Sequence, residues 1–193
     1  MGDFGVVADV STIIVNTLER ALSGLNGGGG QDPSAVLSDL SDSPPPGPAL
    51  TVFLYEIAED PTSRNRPPVR SLPPSPATSR KPPMALLLRY LITPWGGTQV
   101  TQHQMIGRAL QVFYDDAILA GEDLTGSLAG GTDALHFTLT PLTLDQKSWI
   151  WYAIQKPYRL SLNYEVRVVN LDSLDVSDLR LVRSRTINGT PVP

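Results

Sequence analysis

Apolar residues recur along the chain with two different spacings, and each spacing predicts a different secondary structure. Over residues 5–22 they recur every three or four positions, which is typical of an amphipathic helix. Residues 158–171 alternate between apolar and polar side chains, as in a strand with one buried face. Residues 84–93 are almost entirely apolar, which indicates a central strand covered on both faces. The same criteria predict helices over 5–22, 100–114 and 143–155, and strands over 35–40, 50–58, 84–93, 134–139 and 158–171.

The order of these elements indicates the fold class. The predicted order is helix, strand, strand, strand, helix, strand, helix, strand. This order predicts an α+β fold, with one mixed sheet partly covered by helices. The third helix begins with a capping-box pattern of Thr143 and Gln146. The second helix has Asp115 and Asp116 near its end, where the helix dipole disfavours acidic side chains, so we expect it to end early.

Proline is distributed unevenly and divides the chain into ordered ends and a middle rich in loops. Thirteen of the 18 prolines lie between Pro33 and Pro83, and eight of these fall within residues 59–83. A segment of this length without regular structure is rare in a compact domain, so residues 59–83 are interpreted as a Pro-rich insertion. The 193 residues suit one domain, over residues 1–171, followed by a C-terminal arm over residues 172–193.

The composition excludes several classes of partner and chemistry. With 15 basic and 19 acidic side chains, the net charge of -4 argues against nucleic acid and anionic membranes as partners. The chain contains no cysteine, which excludes a disulfide framework, a thiolate metal site and a cysteine nucleophile. Asp3 and Asp9 stand where a secretory signal would carry basic residues, so we expect no such signal. No apolar run reaches the roughly 18 residues of a membrane-spanning helix.

No pattern of residues indicates a catalytic, cofactor-binding or metal site. The two histidines, His103 and His136, lie on a predicted helix and a predicted strand, and the chain has no Gly-x-Ser-x-Gly motif. Asp172, Asp175 and Asp178 are spaced three apart, whereas a calcium loop needs alternating oxygen ligands and a distal glutamate. We therefore predict a protein that is not an enzyme and that uses no cofactor or metal.

Two kinds of side chain are candidates for contacts with other proteins. Arginines gather in the Pro-rich insertion and again near the C-terminus, either in solvated loops or in arms that fold on an acidic partner surface. Aromatic residues crowd the third helix, which is either an interface or a satellite core. Consecutive residues of a helix point in different directions, so we expect Trp151 to be exposed. The candidate interface residues are Arg64, Arg66, Arg70, Arg80, Trp149, Trp151, Tyr152, Arg180, Arg183 and Arg185.

Several stretches of the sequence follow the order in which similar stretches occur in one protein family. They are ADVS at residues 8–11, LTVFLYEI at 50–57, PPMAL at 82–86, RYLITP at 89–94, GRALQ at 107–111, PYRLS at 157–161 and YEVRVV at 164–169. On these stretches the chain resembles, over residues 6–172, the N-terminal domain of the cap proteins of contractile injection systems, which are related to phage tail terminators. Longer members of that family carry a second, C-terminal domain, and the Pro-rich insertion is longer here than is usual.

The resemblance implies a structural role and a tail-terminator-like fold. It implies that six copies form a ring on the end of the inner tube and sheath, which stops polymerisation and anchors the sheath. The partners would be the inner tube protein, the sheath protein and other copies of the chain. Assembly would take place in the bacterial cytoplasm, in a particle that stays in the cell or is released. The alternatives are a neck or baseplate adaptor of a similar machine and a hydrolase of unknown substrate.

Overall fold

A computed structural model of the chain has the predicted order of main elements, and it confirms the α+β fold class. It describes residues 2–25, 32–41, 44–71 and 77–178. The helices are α1 (Val6–Leu22), α2 (Gln99–Asp115) and α3 (Leu144–Ala153). The strands are β1 (Ser34–Leu37), β2 (Ala49–Glu59), β3 (Val69–Ser71), β4 (Thr78–Arg80), β5 (Met84–Trp95), β6 (Ile118–Ala120), β7 (Ala134–Leu139), β8 (Leu162–Leu171) and β9 (Val176–Asp178).

Six of the strands form one mixed sheet in the order β1-β2-β5-β8-β7-β6. β1 runs parallel to β2, and the other neighbouring pairs are antiparallel. β5 lies between β2 and β8, and nearly all of its residues are buried. This position explains its almost continuous apolar sequence, because a strand covered on both faces has no reason to alternate.

α1 and α2 pack on one face of this sheet and enclose the main core. On α1 the buried apolar side chains recur at helical spacing, as the sequence predicted. Each such side chain stabilises the fold by about 1.5–3 kcal/mol relative to an exposed position. The buried apolar residues of the two helices are Val6, Val10, Ile13, Ile14, Leu18 and Leu22 on α1, and Met105, Ile106, Ala109 and Phe113 on α2.

α2 continues to Asp115, so the expectation that it would end early is wrong. The ring of Phe113, in its last turn, stacks on Phe137 of β7 with centroids 5.0 Å apart. The same ring lies 4.9 Å from that of Tyr164 on β8. Tertiary packing of this kind outweighs the helix-dipole penalty of an exposed acid, which is about 0.3–1 kcal/mol.

α3 packs on the opposite face of the sheet, where its Trp151 forms a second apolar cluster with Leu91 and Trp95 of β5. The predicted capping box holds its N-terminus. The hydroxyl of Thr143 accepts a hydrogen bond from the backbone N–H of Gln146 at 3.2 Å, and the Gln146 side chain accepts one from the Thr143 N–H at 3.0 Å. Elsewhere on this face, where β2, β5 and β8 pair, charged side chains lie on the sheet and form ion pairs with one another.

The Pro-rich insertion contains two short strands that the sequence did not predict. β3 pairs with β4 and β4 pairs with β9, both antiparallel, so the three form a separate small sheet. A one-turn 3₁₀ helix, Pro61–Ser63, precedes them, and the side chain of Asp60 caps it. The interpretation of residues 59–83 as irregular is therefore wrong for these elements, while residues 72–76 lie outside the described part of the chain.

Alkaline solutions are expected to weaken the fold through Tyr90. Its buried hydroxyl lies 2.9 Å from the hydroxyl of Ser11, and burial raises its pKa from 10.0 to about 12. The unfolded chain releases the phenolic proton first, so this stabilisation is complete below about pH 10 and is lost as the pH rises towards 12. The difference between the two pKa values corresponds to a loss of up to about 3 kcal/mol.

Urea unfolding of the wild type and of Tyr90→Phe across this range measures the effect. The variant lacks the titrating hydroxyl, so its stability should fall less steeply between about pH 10 and pH 12. Some decline remains in both proteins, because burial also raises the pKa of Tyr164 to about 12. Equal slopes in the two proteins would contradict the role of Tyr90.

Candidate assembly surfaces

α3 presents two aromatic side chains to solvent and buries a third. Trp149 is 69% exposed and Tyr152 is 75% exposed, and their rings meet edge to face with centroids 6.0 Å apart. Trp151 is 1% exposed. The prediction that Trp151 would be exposed is therefore wrong, and the exposed aromatic pair is Trp149 with Tyr152.

The burial of Trp151 follows from what lies beneath α3. Its ring approaches the ring of Trp95 edge to face, with centroids 6.5 Å apart. Ile150 and Ile154 pack against the same cluster. Apolar residues occur on every side of α3, so the sequence pattern does not reveal which side faces the sheet. The contact with the large side chain of Trp95, at the end of β5, determines that the side of α3 carrying Trp151 faces the sheet.

Two of the candidate arginines hold the beginning of the insertion against the main sheet. The Arg64 side chain lies 3.3 Å from the carboxylate of Glu59, in an exposed ion pair of the kind that contributes at most about 1 kcal/mol. Arg66 donates to the side-chain oxygen of Asn170 on β8 at 3.2 Å and to the hydroxyl of Ser63 at 2.9 Å. Both arginines therefore have local partners within the chain.

The other described arginines of the candidate set, Arg70 and Arg80, lie on the small sheet, where the insertion meets the residues that follow β8. In this sheet Arg80 of β4 is opposite Val176 of β9. The hydroxyl of Ser177 donates to the carbonyl of Ser79 at 3.3 Å. The structure thus brings together the insertion and the predicted C-terminal arm. The remaining candidates, Arg180, Arg183 and Arg185, lie outside the described residues.

A row of alternating charges crosses the main sheet on the face that carries α3, and sequence reasoning missed it. The guanidinium of Arg89 on β5 lies 2.7 Å from the carboxylate of Glu56 on β2 and 3.3 Å from that of Glu165 on β8. Glu165, whose side chain is 6% exposed, also pairs with Arg167 at 2.7 Å. The hydrogen bond to Glu56 raises the pKa of Arg89 further above its usual value. Only the register of the three strands reveals this row, because each residue looks like an ordinary polar strand position.

The described residues leave two large open cavities beside these surfaces. One of about 600 Å³ lies between the small sheet and the loop at residues 129–133, and one of about 530 Å³ lies between α2 and β7.

His103 lies on α2 and His136 on β7. Within the described ranges, no three histidine, aspartate or glutamate side chains are placed to hold a metal ion. None of the helices described is both long and apolar enough to cross a bilayer.

Comparison with known proteins places this fold in a family. The family model of the Pvc16 N-terminal domain matches residues 9–184. A solved structure of the PVC sheath/tube terminator of an extracellular contractile injection system, in its extended state, is similar with a TM-score of 0.65 and 22% identity. A solved structure of the tube-terminating cap of the anti-feeding prophage AFP is similar with a TM-score of 0.62 and 22% identity. A comparison with curated proteins gave no significant match.

The two structural matches cover most of this chain and a smaller part of each relative. They cover 96% of this chain and 64% of the PVC terminator, and 94% of this chain and 60% of the AFP cap. The chain therefore spans less than two thirds of the length of either relative. The family match, which extends over most of the chain, confirms the resemblance to cap proteins of contractile injection systems. The chain belongs to the Pvc16 N-terminal domain family.

Proposed function

We propose that this chain is the terminator, or cap, subunit of a contractile injection system. Copies of it form a six-membered ring on the end of the inner tube and sheath, stop further polymerisation and anchor the end of the sheath. The observation that carries this proposal is the extent of the fold match, because 96% and 94% of the chain align with two proteins that terminate such assemblies. The role is structural and requires no chemistry at any residue.

Exposed aromatic residues give the first physical support for an assembly role. A closed ring needs contacts between unlike surfaces of neighbouring copies. Trp149 and Tyr152 are large, rigid side chains that stand in solvent in the single chain, and residues of this type supply most of the energy of protein interfaces. In the proposed assembly they lie against a neighbouring subunit.

The small sheet gives the second support. β3 and β9 are its outer strands, each three residues long, and the side chains of both are exposed. Edge strands offer unpaired backbone groups to which another chain can add a strand. We assign residues 1–171 to the body of the cap. The insertion at residues 59–83 and the arm at residues 172–193 are the segments through which it contacts the inner tube, the sheath or its neighbours.

Removal of the chain from cells that assemble the particle tests the proposal. Without a terminator, nothing stops subunit addition, so tubes and sheaths should lose their uniform length and end without a closing layer. Negative-stain electron microscopy measures both properties, and the wild-type gene supplied in trans should restore them. Particles of normal length with normal ends would rule the proposal out. Particles that lack only the spike end would indicate a baseplate adaptor instead.

A pair of substitutions tests whether Trp149 and Tyr152 of α3 contribute to the assembly interface. Trp149→Ala combined with Tyr152→Ala should fail to restore uniform length, because the interface loses two aromatic anchors. Ile57→Ala is the matched control, since Ile57 is also apolar and is 53% exposed but lies on β2. If the aromatic double variant restores length as well as the control does, α3 is not part of the assembly interface.

A further inference from the structure

An arginine that has no acidic partner among the described residues lines a cavity at the first turns of α2. The cavity has a volume of about 290 Å³, and Gln99, Gln102, His103 and Arg159 are among its lining residues. The guanidinium carbon of Arg159 lies 4.3 Å from the centre of the Trp95 ring. Among the described residues, the buried Nε of Arg159 has no hydrogen-bond partner, and no carboxylate forms an ion pair with this side chain.

This arrangement is costly for a single chain, and it leaves the two terminal nitrogens of Arg159, which are not among the buried unpaired atoms, open to an anion from outside. An arginine carries five N–H donors, and a buried donor without a partner costs about 1–3 kcal/mol. Stacking on Trp95 fixes the plane of the guanidinium but uses none of these donors. A planar guanidinium that is fixed in this way is suited to receive a carboxylate with two parallel hydrogen bonds.

The other end of α2 has the opposite charge and is also unsatisfied. Asp115 is the last residue of the helix and Asp116 caps it, and both are exposed. The last turn contains no basic residue, so these carboxylates face the negative end of the helix dipole. In the described part of the chain neither forms an ion pair. Two adjacent acids at this position weaken the helix, and a cation from outside the chain would reverse that effect.

The two ends cannot meet within one molecule. α2 has 17 residues, which separates its ends by about 25 Å. A contact between unlike surfaces at opposite ends of one element joins copies head to tail, and such contacts build rings or filaments. The charges at the two ends of α2 are complementary, so the carboxylates of Asp115 and Asp116 in a second copy suit the Arg159 cavity.

We propose that Asp115 and Asp116 of one copy bind at the Arg159 cavity of the next copy, and that this head-to-tail contact along α2 joins neighbouring subunits. This inference rests on the proposed function, because it describes how the ring would close. It extends that function by naming the two surfaces that bind each other and the charges that select them.

Charge reversal at the acidic end is the first test. Asp115→Lys combined with Asp116→Lys should raise the melting temperature of the free chain, because basic residues suit a helix C-terminus. The same variant should weaken self-association of the purified full chain by at least about tenfold in Kd, measured by sedimentation velocity. Wild-type association should also weaken at about 1 M salt, where the Debye length is about 3 Å.

Two adjacent residues of α1 provide matched controls. Glu19→Gln and Arg20→Gln each remove one exposed charge from a different helix, α1, and they should leave the association constant unchanged. Arg159→Gln should weaken association as the acidic-end variant does, with circular dichroism used to establish that it is folded. A lysine double variant that associates like the wild type, or a wild type that stays monomeric at low salt, would overturn the inference.

Engineered cysteines test the contact geometrically. The chain contains no cysteine, so Gln99→Cys together with Tyr114→Cys introduces the only two thiols. Within one copy these positions are 15 residues apart on α2, or about 22 Å, which is too far for a disulfide. Mild oxidation should therefore yield a ladder of covalent oligomers from the double variant. Either single variant should remain mainly monomeric, because it places no second thiol across the head-to-tail contact. Oxidised double variant without oligomers beyond the dimer would overturn the inference.

The outcomes separate this inference from the proposed function. If reversal of the acidic end abolishes self-association and also abolishes uniform tube length, both are supported. If the particle assay supports a terminator while the lysine double variant still associates and still restores length, the copies bind through other surfaces and only the inference is wrong.

Discussion

Trp151→Ala is expected to lower the free energy of unfolding by about 3–5 kcal/mol, which is the usual cost of truncating a buried tryptophan. Trp151 is 1% exposed and is among the largest fully buried side chains of the described residues. Its removal would leave a cavity against Trp95 and Leu91, where α3 meets the sheet. Urea unfolding followed by circular dichroism measures the loss.

Trp149→Ala is the matched control for that experiment. The same side chain is removed from the same helix, two residues away, at a position that is 69% exposed. The free energy of unfolding should therefore change by no more than about 0.5 kcal/mol. A larger loss from Trp149→Ala than from Trp151→Ala would mean that α3 is rotated about its axis relative to the structure described above.

Gly96→Ala is expected to cost about 2–5 kcal/mol of unfolding free energy. Gly96 has a φ of 66° in the turn between β5 and α2. A Cβ at this position would overlap the carbonyl group of Gly47. Because the obstacle is backbone, no side-chain rotation relieves the overlap, and the segment before β2 or the turn must move.

Gly24→Ala measures the cost of the left-handed backbone conformation alone, without the steric overlap that Gly96→Ala adds. Gly24 has a φ of 78°, but an added Cβ would have no atom within 4 Å. Its replacement by alanine should therefore cost only the left-handed backbone penalty, about 1–2 kcal/mol. Thermal or urea unfolding of the two variants compares them directly. Equal losses at the two positions would show that the close approach of Gly47 contributes nothing.

Local sequence pattern predicted most of the fold, because in most elements pattern and packing agree. The strand at Ala134–Leu139 and the capping box at Thr143 are correct to the residue. The last strand begins at Leu162 instead of residue 158. In the segment before it, the side chain of Arg159 stacks on Trp95, a contact that alternation of apolar and polar residues does not encode.

The missed features share one physical cause, which is that distant partners determine them. The orientation of α3 depends on Trp95, which lies 56 positions before Trp151 in the sequence. The charged row depends on the register that places Arg89 between Glu56 and Glu165. In both cases the residue types were visible in the sequence, but the side chains they meet were not.

Composition alone gave arginines and aromatics as candidates for contact surfaces, and that assignment stays a prediction. Of the three aromatic candidates on α3, Trp149 and Tyr152 are exposed, whereas Trp151, which was expected to be exposed, is buried. It gave no reason to consider Arg159, because a single arginine in an alternating strand pattern looks like a solvated position. What distinguishes this arginine is a buried nitrogen atom without a partner, and only atomic positions reveal that.

The small sheet joins parts of the chain that are far apart in sequence, and this affects the order in which the molecule folds and the parts of it that open locally. Ser79 and Ser177 are 98 positions apart, but the pairing of Met84 with Leu171 in the main sheet already brings their segments together. The small sheet therefore pairs after the main sheet has closed this long loop. Its three-residue outer strands bury little apolar surface, so they gain little stability from the pairing. Among the described residues, the strands β3, β4 and β9 are thus the last to pair and the first to separate. They open as one unit, with a local opening free energy well below that of the main sheet.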